Sequence, residues 1–394
     1  MSKKDDKEKL APRTLSEVLD DINSRYGAST LIKASNYKAC FDCKRIPTGV
    51  FQLDYAMGGG IPIGRFTMLK GYEGTGKSTI AMMAVRTAQK TCRFCYAREM
   101  VSLSGEVEWI HQSDCPTQDP SWDDPDGPGL RIAYVDVEGT FLSSWASTIG
   151  VDTDKLYLSQ PEYAEQAIDI IHAMLFDGVI DLVVLDSVAS LAPKAELEKS
   201  VESDVVGVSG RLLNRAFREW GSAMNRAGKI NGNKPTVIFI NQIRLNIGTT
   251  FGNPETIPGG KGQLFAPSIV VMLRPRPPVL SKGTHPKPLR WVTYFKIEKN
   301  KTSVSNMSGE YELAVMTHDY YIQGDVVDYD AVLSVAKETG VVRQEKKKWI
   351  YDASGLPGDE YRIQDDMVTA WKQNFPLYSM VKHITLRRAL DALT

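Results

Sequence analysis

The chain has 394 residues, 42% of them hydrophobic and 24% charged, with a formal net charge of −1. That length accommodates one large domain with smaller appendages, and the near-neutral balance means that any nucleic-acid site must come from local charge. No apolar run approaches the ~18 residues of a membrane span, and MSKKDDKEK has no apolar core behind it, so neither a membrane partner nor a secretory signal is expected. Five cysteines without an export signal point to a reducing, cytoplasmic location, where closely spaced cysteines are metal ligands more often than disulfides.

The first predicted element is a helix over TLSEVLDDINSRYG, residues 14–27. Thr14 caps it with Glu17 as the reciprocal partner, Gly27 ends it, and Leu15, Val18, Leu19, Ile22 and Tyr26 share one face. This stripe precedes the core, and the pattern leaves two readings open: folding back, or docking as an arm on a neighbouring subunit. Cys40 and Cys43 of CFDC are half a metal motif without a second pair, and read as free thiols.

The nucleotide domain begins near Ile46. KGYEGTGKST, residues 70–79, fits G-x-x-x-x-G-K-[ST], between the apolar FTML and the helical TIAMMAVRTA. Gly71, Tyr72, Glu73, Gly74, Thr75, Gly76, Lys77, Ser78 and Thr79 are therefore expected to cradle a nucleotide's phosphates. Backbone N–H groups would point at the phosphates, with Lys77 on the outer ones and Ser78 on Mg²⁺. Further on, Cys92 and Cys95 form C-x₂-C, and His111 and Cys115 form H-x₃-C across a short span. Two such pairs suit a closed, structural Cys₃His zinc site, which replaces a core that so short a segment cannot build.

Apolar runs then alternate with helical stretches: RIAYVDVEG, DLVVLDSVASL, TVIFINQI, IVVML and VTYFKIEK. Near-continuous apolar strands between helices predict an α/β fold, a mostly parallel sheet covered on both faces, with ligands at the carboxyl ends of its strands. Asp186 closes VVLD, where a carboxylate held through water on Mg²⁺ sits; Glu138 ends AYVDVE and is placed to polarise the attacking water; Gln242 ends VIFINQ and is placed to sense the terminal phosphate.

Residues 243–263 carry five glycines and two prolines and no period of 2 or 3.6, which marks a functional loop. Its backbone suits phosphate, and Leu245, Ile247 and Phe251 offer apolar surface to bases. A second segment is interrupted near Val206 and Gly207 and then sets Arg211, Arg215 and Arg218 about a helical turn apart. Residues 274–301 add eight Lys or Arg against one acidic residue, Glu298.

IPTGVFQLDYAMGGGIPIGR, GYEGTGKST, SVASLAPKAELE, FINQIR and FGNPET, in this order, closely resemble the RecA family of bacterial recombinases, from about Thr14 to about Gly340. The resemblance implies a RecA-type P-loop ATPase core. Its activity would be ATP-dependent filament formation on single-stranded DNA, pairing with homologous duplex, and strand exchange. It implies that Glu138 is the catalytic carboxylate, acting with Lys77 and Gln242, and that residues 202–210 and 244–261 are the DNA loops, bringing in Arg244, Gly259, Gly260 and Lys261. Trp145 falls where an aromatic stacks on adenine, Lys299 and Lys301 where lysines reach a neighbour's ATP, and Lys296 in the secondary DNA site. The 14–27 helix becomes the subunit-docking arm of a helical homo-oligomer. Domains are expected at 1–45 (tail and arm), 46–322 (core) and 323–394 (small α+β C-terminal domain).

The chain departs from the family at Leu142, where an acidic adenine contact is expected, at Tyr294, a basic position of the secondary site, and beyond Gly340, which matches poorly. The segment 91–128 with its candidate zinc ligands is an insertion that the family does not predict. Two rival readings share the phosphate loop: a hexameric helicase on the same fold, and an ATP-binding regulator that never touches DNA.

Overall fold

The structure, a computed structural model, describes residues 13–26, 31, 43–102, 106–198, 208–232, 234–245, 254–318, 321–353 and 355–393. The described residues up to Cys43 and those from Lys44 onward belong to separate compact units. In the first, helix α1 spans Leu15–Tyr26. The Thr14 N–H donates to Glu17 Oε2 at 2.7 Å and the Glu17 N–H to Thr14 Oγ1 at 3.3 Å, the reciprocal cap that the sequence predicts. Gly27, its expected terminator, lies outside the described residues.

The second unit contains, in chain order, α2 (Phe51–Met57), β1 (Phe66–Gly71) and α3 (Lys77–Gln89). Strands β2 (Ile132–Asp136) and β3 (Leu156–Ser159) follow, then α4 (Ala164–Asp177), β4 (Leu182–Asp186), α5 (Val208–Asn231) and β5 (Thr236–Gln242). Strands β6 (Ile269–Pro275), β7 (Pro288–Asn300), β8 (Ser308–Ala314) and β9 (Val326–Val327) complete the main sheet, with Val279–Leu280 paired on β7. Its order is β9-β8-β7-β6-β1-β5-β4-β2-β3. Neighbours from β6 through β3 run parallel, while β6–β7, β7–β8 and β8–β9 are antiparallel.

The predicted apolar runs are continuous because both faces of the parallel part are buried. Leu69, Val184 and Ile238 point into one core with Ala81, Ala84 and Val85 of α3. Their neighbours Met68, Val183 and Val237 point into the other with Ile171 of α4 and Phe217 and Trp220 of α5. A third core belongs to the C-terminal part: α6 (Tyr329–Glu338), a three-stranded antiparallel sheet (Val342–Glu345, Lys348–Tyr351, Glu360–Tyr361), α7 (Gln364–Gln373) and α8 (Phe375–Asp391). It is fixed to the main body through Phe51 of α2, which joins this core. Asp328 ties both sides, accepting from the Phe51 N–H at 3.3 Å, from Lys382 Nζ at 2.6 Å and from the Tyr378 hydroxyl.

Residues 91–128 leave α3 as a small module. Glu99–Val101 pairs antiparallel with Val107–Trp109. Cys92, Cys95 and Cys115, packed with Phe94, Ala97 and Trp109, form its buried cluster.

Candidate functional site

Gly71 ends β1 between Leu273 of β6 and Gln242 of β5, so the chain turns into the phosphate loop at the carboxyl edge of the sheet. A side chain at Gly71 would strike the Leu273 carbonyl oxygen at 2.5 Å, which reserves the position for glycine. Lys77 is 7% exposed, and its Nζ donates to the Tyr72 carbonyl at 2.7 Å. Among the described residues no carboxylate lies within ion-pair distance of it; burial lowers its pKa, and Asp186, Glu138 and Glu73 act against that from further off. A buried ammonium aimed into a loop of backbone N–H groups, without a salt partner, fits a phosphate.

Asp186 at the end of β4 is buried. Burial raises its pKa, while hydrogen bonds from Ser78 and Tyr134 oppose the rise; the Tyr134 hydroxyl lies 2.6 Å from Oδ2. Ser78 and Asp186 thus present two oxygen ligands side by side, suited to a magnesium ion accompanying a nucleotide. Glu138 lies two residues beyond the end of β2, at the carboxyl edge where its place at the end of AYVDVE put it. It is held by the Gln242 side-chain amide at 3.0 Å, the Ser190 hydroxyl at 3.1 Å and the Ser187 hydroxyl. β2 and β4 are neighbours in register, Asp136 opposite Asp186, so the two carboxylates expected at adjacent strand ends do come together. Asp136 itself is structural, accepting from the Thr140 and Phe141 N–H groups and from Gln160.

Trp145, half-buried against the α3 core, reaches Thr79 with its indole N–H at 3.4 Å, one residue past Ser78. Leu142 beside it is 63% exposed. Lys299 and Lys301 lie elsewhere. Lys299 pairs with Val270 near the start of β6, at the opposite end of the sheet from the phosphate loop, and its Nζ donates to the Leu264 and Phe265 carbonyls.

Of the expected DNA residues, Val206, Gly207, Ile247 and Phe251 lie outside the described residues. Arg244 and Leu245 are exposed on a short strand that pairs with Glu255–Thr256. Gly210, near the start of α5, faces Gly259 and Gly260, so the two segments read as DNA loops converge; Lys261 follows them. Arg211, Arg215 and Arg218 line an open cleft of about 860 Å³ with Phe66, Phe217 and Phe265. Because α5 packs back along the sheet, Arg218 sits about two turns from Gly210, beside Phe66 at the start of β1. It is therefore away from the nucleotide-sensing edge where the sequence had grouped it. Lys296 is half-buried in mid-β7 opposite Met272.

The basic stretch 274–301 is also less basic than its composition. Arg274, Arg276 and Arg290 pair with Glu255, Glu310 and Glu312 at 2.6–2.8 Å.

One network went unread in the sequence. Glu255 accepts from the Tyr72 hydroxyl at 2.7 Å and from Arg274 at 2.6 Å, linking the phosphate loop to the far side of the 243–263 segment.

In the insertion, one ligand atom each of Cys92, Cys95, His111 and Cys115 lies within 4.8 Å of all the others. Cys92 Sγ and Cys115 Sγ are 3.8 Å apart, and His111 Nδ1 stands 3.3 Å from Cys95 Sγ and 3.6 Å from Cys115 Sγ. The edge of a tetrahedron with Zn–S bonds of about 2.3 Å is about 3.8 Å, so these separations suit a four-coordinate metal. Trp109 stacks on the His111 ring at 5.4 Å and fixes its plane. Cys40 lies outside the described residues, and Cys43 is a free thiol.

A phosphate loop at the carboxyl edge of a mostly parallel sheet, with Asp186 at the end of β4 and Glu138 just past the end of its neighbour β2, defines a P-loop nucleotide-binding protein. The RecA N-terminal domain model matches residues 13–100 and 126–317. The RecA protein of Kineococcus radiotolerans is 32% identical over 345 residues, 87% of this chain and 84% of that protein. That of Bacteroides thetaiotaomicron is 30% identical over 329 residues, 83% and 85% of the two chains. A crystal structure of the RadB recombinase matches 68% of this chain and 96% of its own, at 18% identity and a TM-score of 0.44. The chain belongs to the RecA family. The family match omits residues 101–125, so two candidate metal ligands, His111 and Cys115, lie in sequence that the family does not supply. Among the described residues no helix is long and apolar enough to cross a membrane.

Proposed function

We infer that this chain is an ATP-dependent recombinase that assembles as a helical filament on single-stranded DNA in the cytoplasm, pairs it with homologous duplex and exchanges strands, hydrolysing ATP in response to DNA. Family membership supports this reading over a hexameric helicase. The observation that carries the mechanism is the hydrogen bond from Gln242 to Glu138, beside Lys77 and Asp186. Glu138 takes the proton of the water that attacks the γ-phosphorus as the bond to the β-phosphate oxygen breaks, and Lys77 meets the charge that builds on the phosphate oxygens. Ser78, and Asp186 through water, would hold a magnesium ion that would neutralise charge on the phosphates. Gln242 leads directly into the 243–263 segment, so its partner, Glu138 or γ-phosphate, reports the nucleotide state to the DNA loops. The arm (1–45), core (46–322) and C-terminal domain (323–394) divide assembly, chemistry and an outer module between them.

The finer metal reading is a structural zinc in the insertion on Cys92, Cys95, His111 and Cys115, supported by the tetrahedral edge lengths.

Glu138→Gln is expected to bind ATP and form long-lived filaments while hydrolysing at least about 100-fold more slowly. Electron microscopy with ATP and single-stranded DNA, alongside phosphate release, checks it. Closed rings would favour the helicase, and no DNA-dependent assembly would favour a regulator.

A further inference from the structure

A cavity of about 250 Å³ lies where three parts of the second unit meet. The main body contributes Gly49, Asp54 and Arg86, the insertion contributes Arg98 and Glu99, and helix α8 contributes its face from Phe375 to Leu386. It is separate from the phosphate loop and lies beyond the opposite end of α3, the helix that carries Arg86 near its C-terminus.

Its cations, Arg86, Arg98 and Lys382, outnumber its acids, Asp54 and Glu99. Arg86 donates to the Ile149 carbonyl at 3.1 Å, and Arg98 donates to His383 Nδ1 at 3.3 Å. Among the described residues neither guanidinium has a carboxylate within ion-pair distance. Burial pushes both of their pKa values down, with Asp54 acting against it for each and Asp325 for Arg86. The acids nearby are committed elsewhere. Asp54 accepts from the Thr48 N–H, the Thr48 hydroxyl and the Gly49 N–H; Glu99 pairs with Lys90; and Asp328 pairs with Lys382. Arg98 is accommodated by a histidine that burial, Arg98 and Arg387 hold down to about 4, a neutral acceptor that offsets no charge.

Arg86 is also placed by its surroundings. A side chain at Gly49, whose φ is +86°, would come 2.6 Å from Arg86 Nη2, and one at Gly150 would come 3.0 Å from its Cδ. Two arginines held beside one cavity without an anion are costly unless an anion completes them, and the guanidinium fork matches phosphate oxygens.

We propose that this cavity binds a small phosphate-type oxyanion, inorganic phosphate or pyrophosphate, between Arg86 and Arg98 with Lys382 on its wall, and so fastens helix α8 to the main body and the insertion. The volume admits such an anion and excludes a nucleic-acid duplex. The site stands apart from the recombinase reading, since none of its residues serves the nucleotide or the expected DNA loops.

The test uses the full-length protein with its phosphate loop filled by a non-hydrolysable ATP analogue and Mg²⁺. Sodium phosphate is titrated against sodium chloride of equal ionic strength, and amide hydrogen exchange is read over residues 375–391. Saturable slowing with phosphate alone is expected, and Arg98→Gln should raise the half-saturating concentration by about tenfold or more, the loss of one charge-assisted contact. Arg86→Gln should do the same; should it fail to fold, Arg98→Gln decides alone, because Arg98 belongs to the insertion. Phosphate binding in the phosphate loop would be insensitive to Arg98→Gln. The proposal is overturned if phosphate and chloride act alike, or if the phosphate response is unchanged in Arg98→Gln.

Discussion

Glu255 holds the Tyr72 hydroxyl and the Arg274 guanidinium on one carboxylate oxygen, so the grip on phosphate and the segment expected to meet DNA share a single acceptor. Removing it breaks both contacts while leaving Lys77, Ser78 and Asp186 in place. Glu255→Ala is therefore expected to bind ATP normally but to lose about tenfold of the DNA stimulation of hydrolysis, the worth of one or two hydrogen bonds to a charged group. Turnover measured with and without single-stranded DNA decides it, and undiminished stimulation would dismiss the link. The sequence pointed to FGNPET as a mark of the family, but it gave no sign that its glutamate meets a tyrosine 183 residues away, since no periodicity connects them. Asp186, Glu138 and Gln242 were legible because each follows an apolar run at an edge where ligands bind. His383 carries a pH signature of equal reach. Burial with Arg98 and Arg387 holds it down to about 4, whereas an unfolded histidine titrates near 6.5. Between those values the unfolded chain binds more protons, so this contribution to stability is complete above pH 6.5 and is lost as pH falls toward 4. Asp54, raised to about 6 by burial, slopes the opposite way as pH rises through that value. The comparison with His383→Gln cancels Asp54: the variant's melting temperature should fall less between pH 6.5 and 4 than the parent's, and parallel curves would remove His383 from the account.

Helix α1 was readable to its first turn because a reciprocal cap is a local device, two side chains three residues apart. Thr14→Ala should cost its helix about 1 kcal/mol, seen as reduced helicity of a peptide spanning residues 13–26; unchanged helicity would mean the cap adds nothing. The strands of the main sheet were legible for a different reason, since burial on both faces writes an apolar run that needs no partner to be recognised. The C-terminal sheet offered neither signal. Its hairpin turns at Lys346 and Lys347, with φ of 46° and 70°, a conformation that Asn-Gly sequences announce and two lysines conceal. The insertion lies between these cases. Its ligand spacing was visible, while the stacking of Trp109 on His111 and the reach of Arg98 to α8 depend on folding around the cluster. A bound zinc would make that folding conditional on metal. Purified protein is expected to carry one zinc per chain by elemental analysis. Cys115→Ser should lower that content and speed hydrogen exchange across residues 92–115, while ATP binding at the phosphate loop persists. A parent protein without metal would refute the centre.

The placement of Lys299 and Lys301 argues for an assembly that a single protomer does not complete. Lys299 lies in, and Lys301 just past, the end of β7 that pairs with the start of β6, whereas the phosphate loop leaves the far edge of the same sheet, so neither lysine serves its own protomer's nucleotide. If they serve a neighbour's, the contact is head-to-tail: one surface offers the phosphate loop and a different one the lysines, a geometry that propagates as a helix. Two variants make this measurable. Lys77→Ala lacks the phosphate grip but keeps the lysines, and the double variant Lys299→Ala, Lys301→Ala keeps the grip but lacks the lysines. Each alone should show little DNA-stimulated hydrolysis. In an equal mixture, random copolymers place an intact phosphate loop against intact lysines at about a quarter of their junctions. Hydrolysis should therefore recover to about a quarter of the parent rate on single-stranded DNA, and only where the subunits polymerise together. A mixture no more active than its components would mean that each protomer completes its own site, and the coupling of nucleotide cleavage to filament release would have to be sought within one chain.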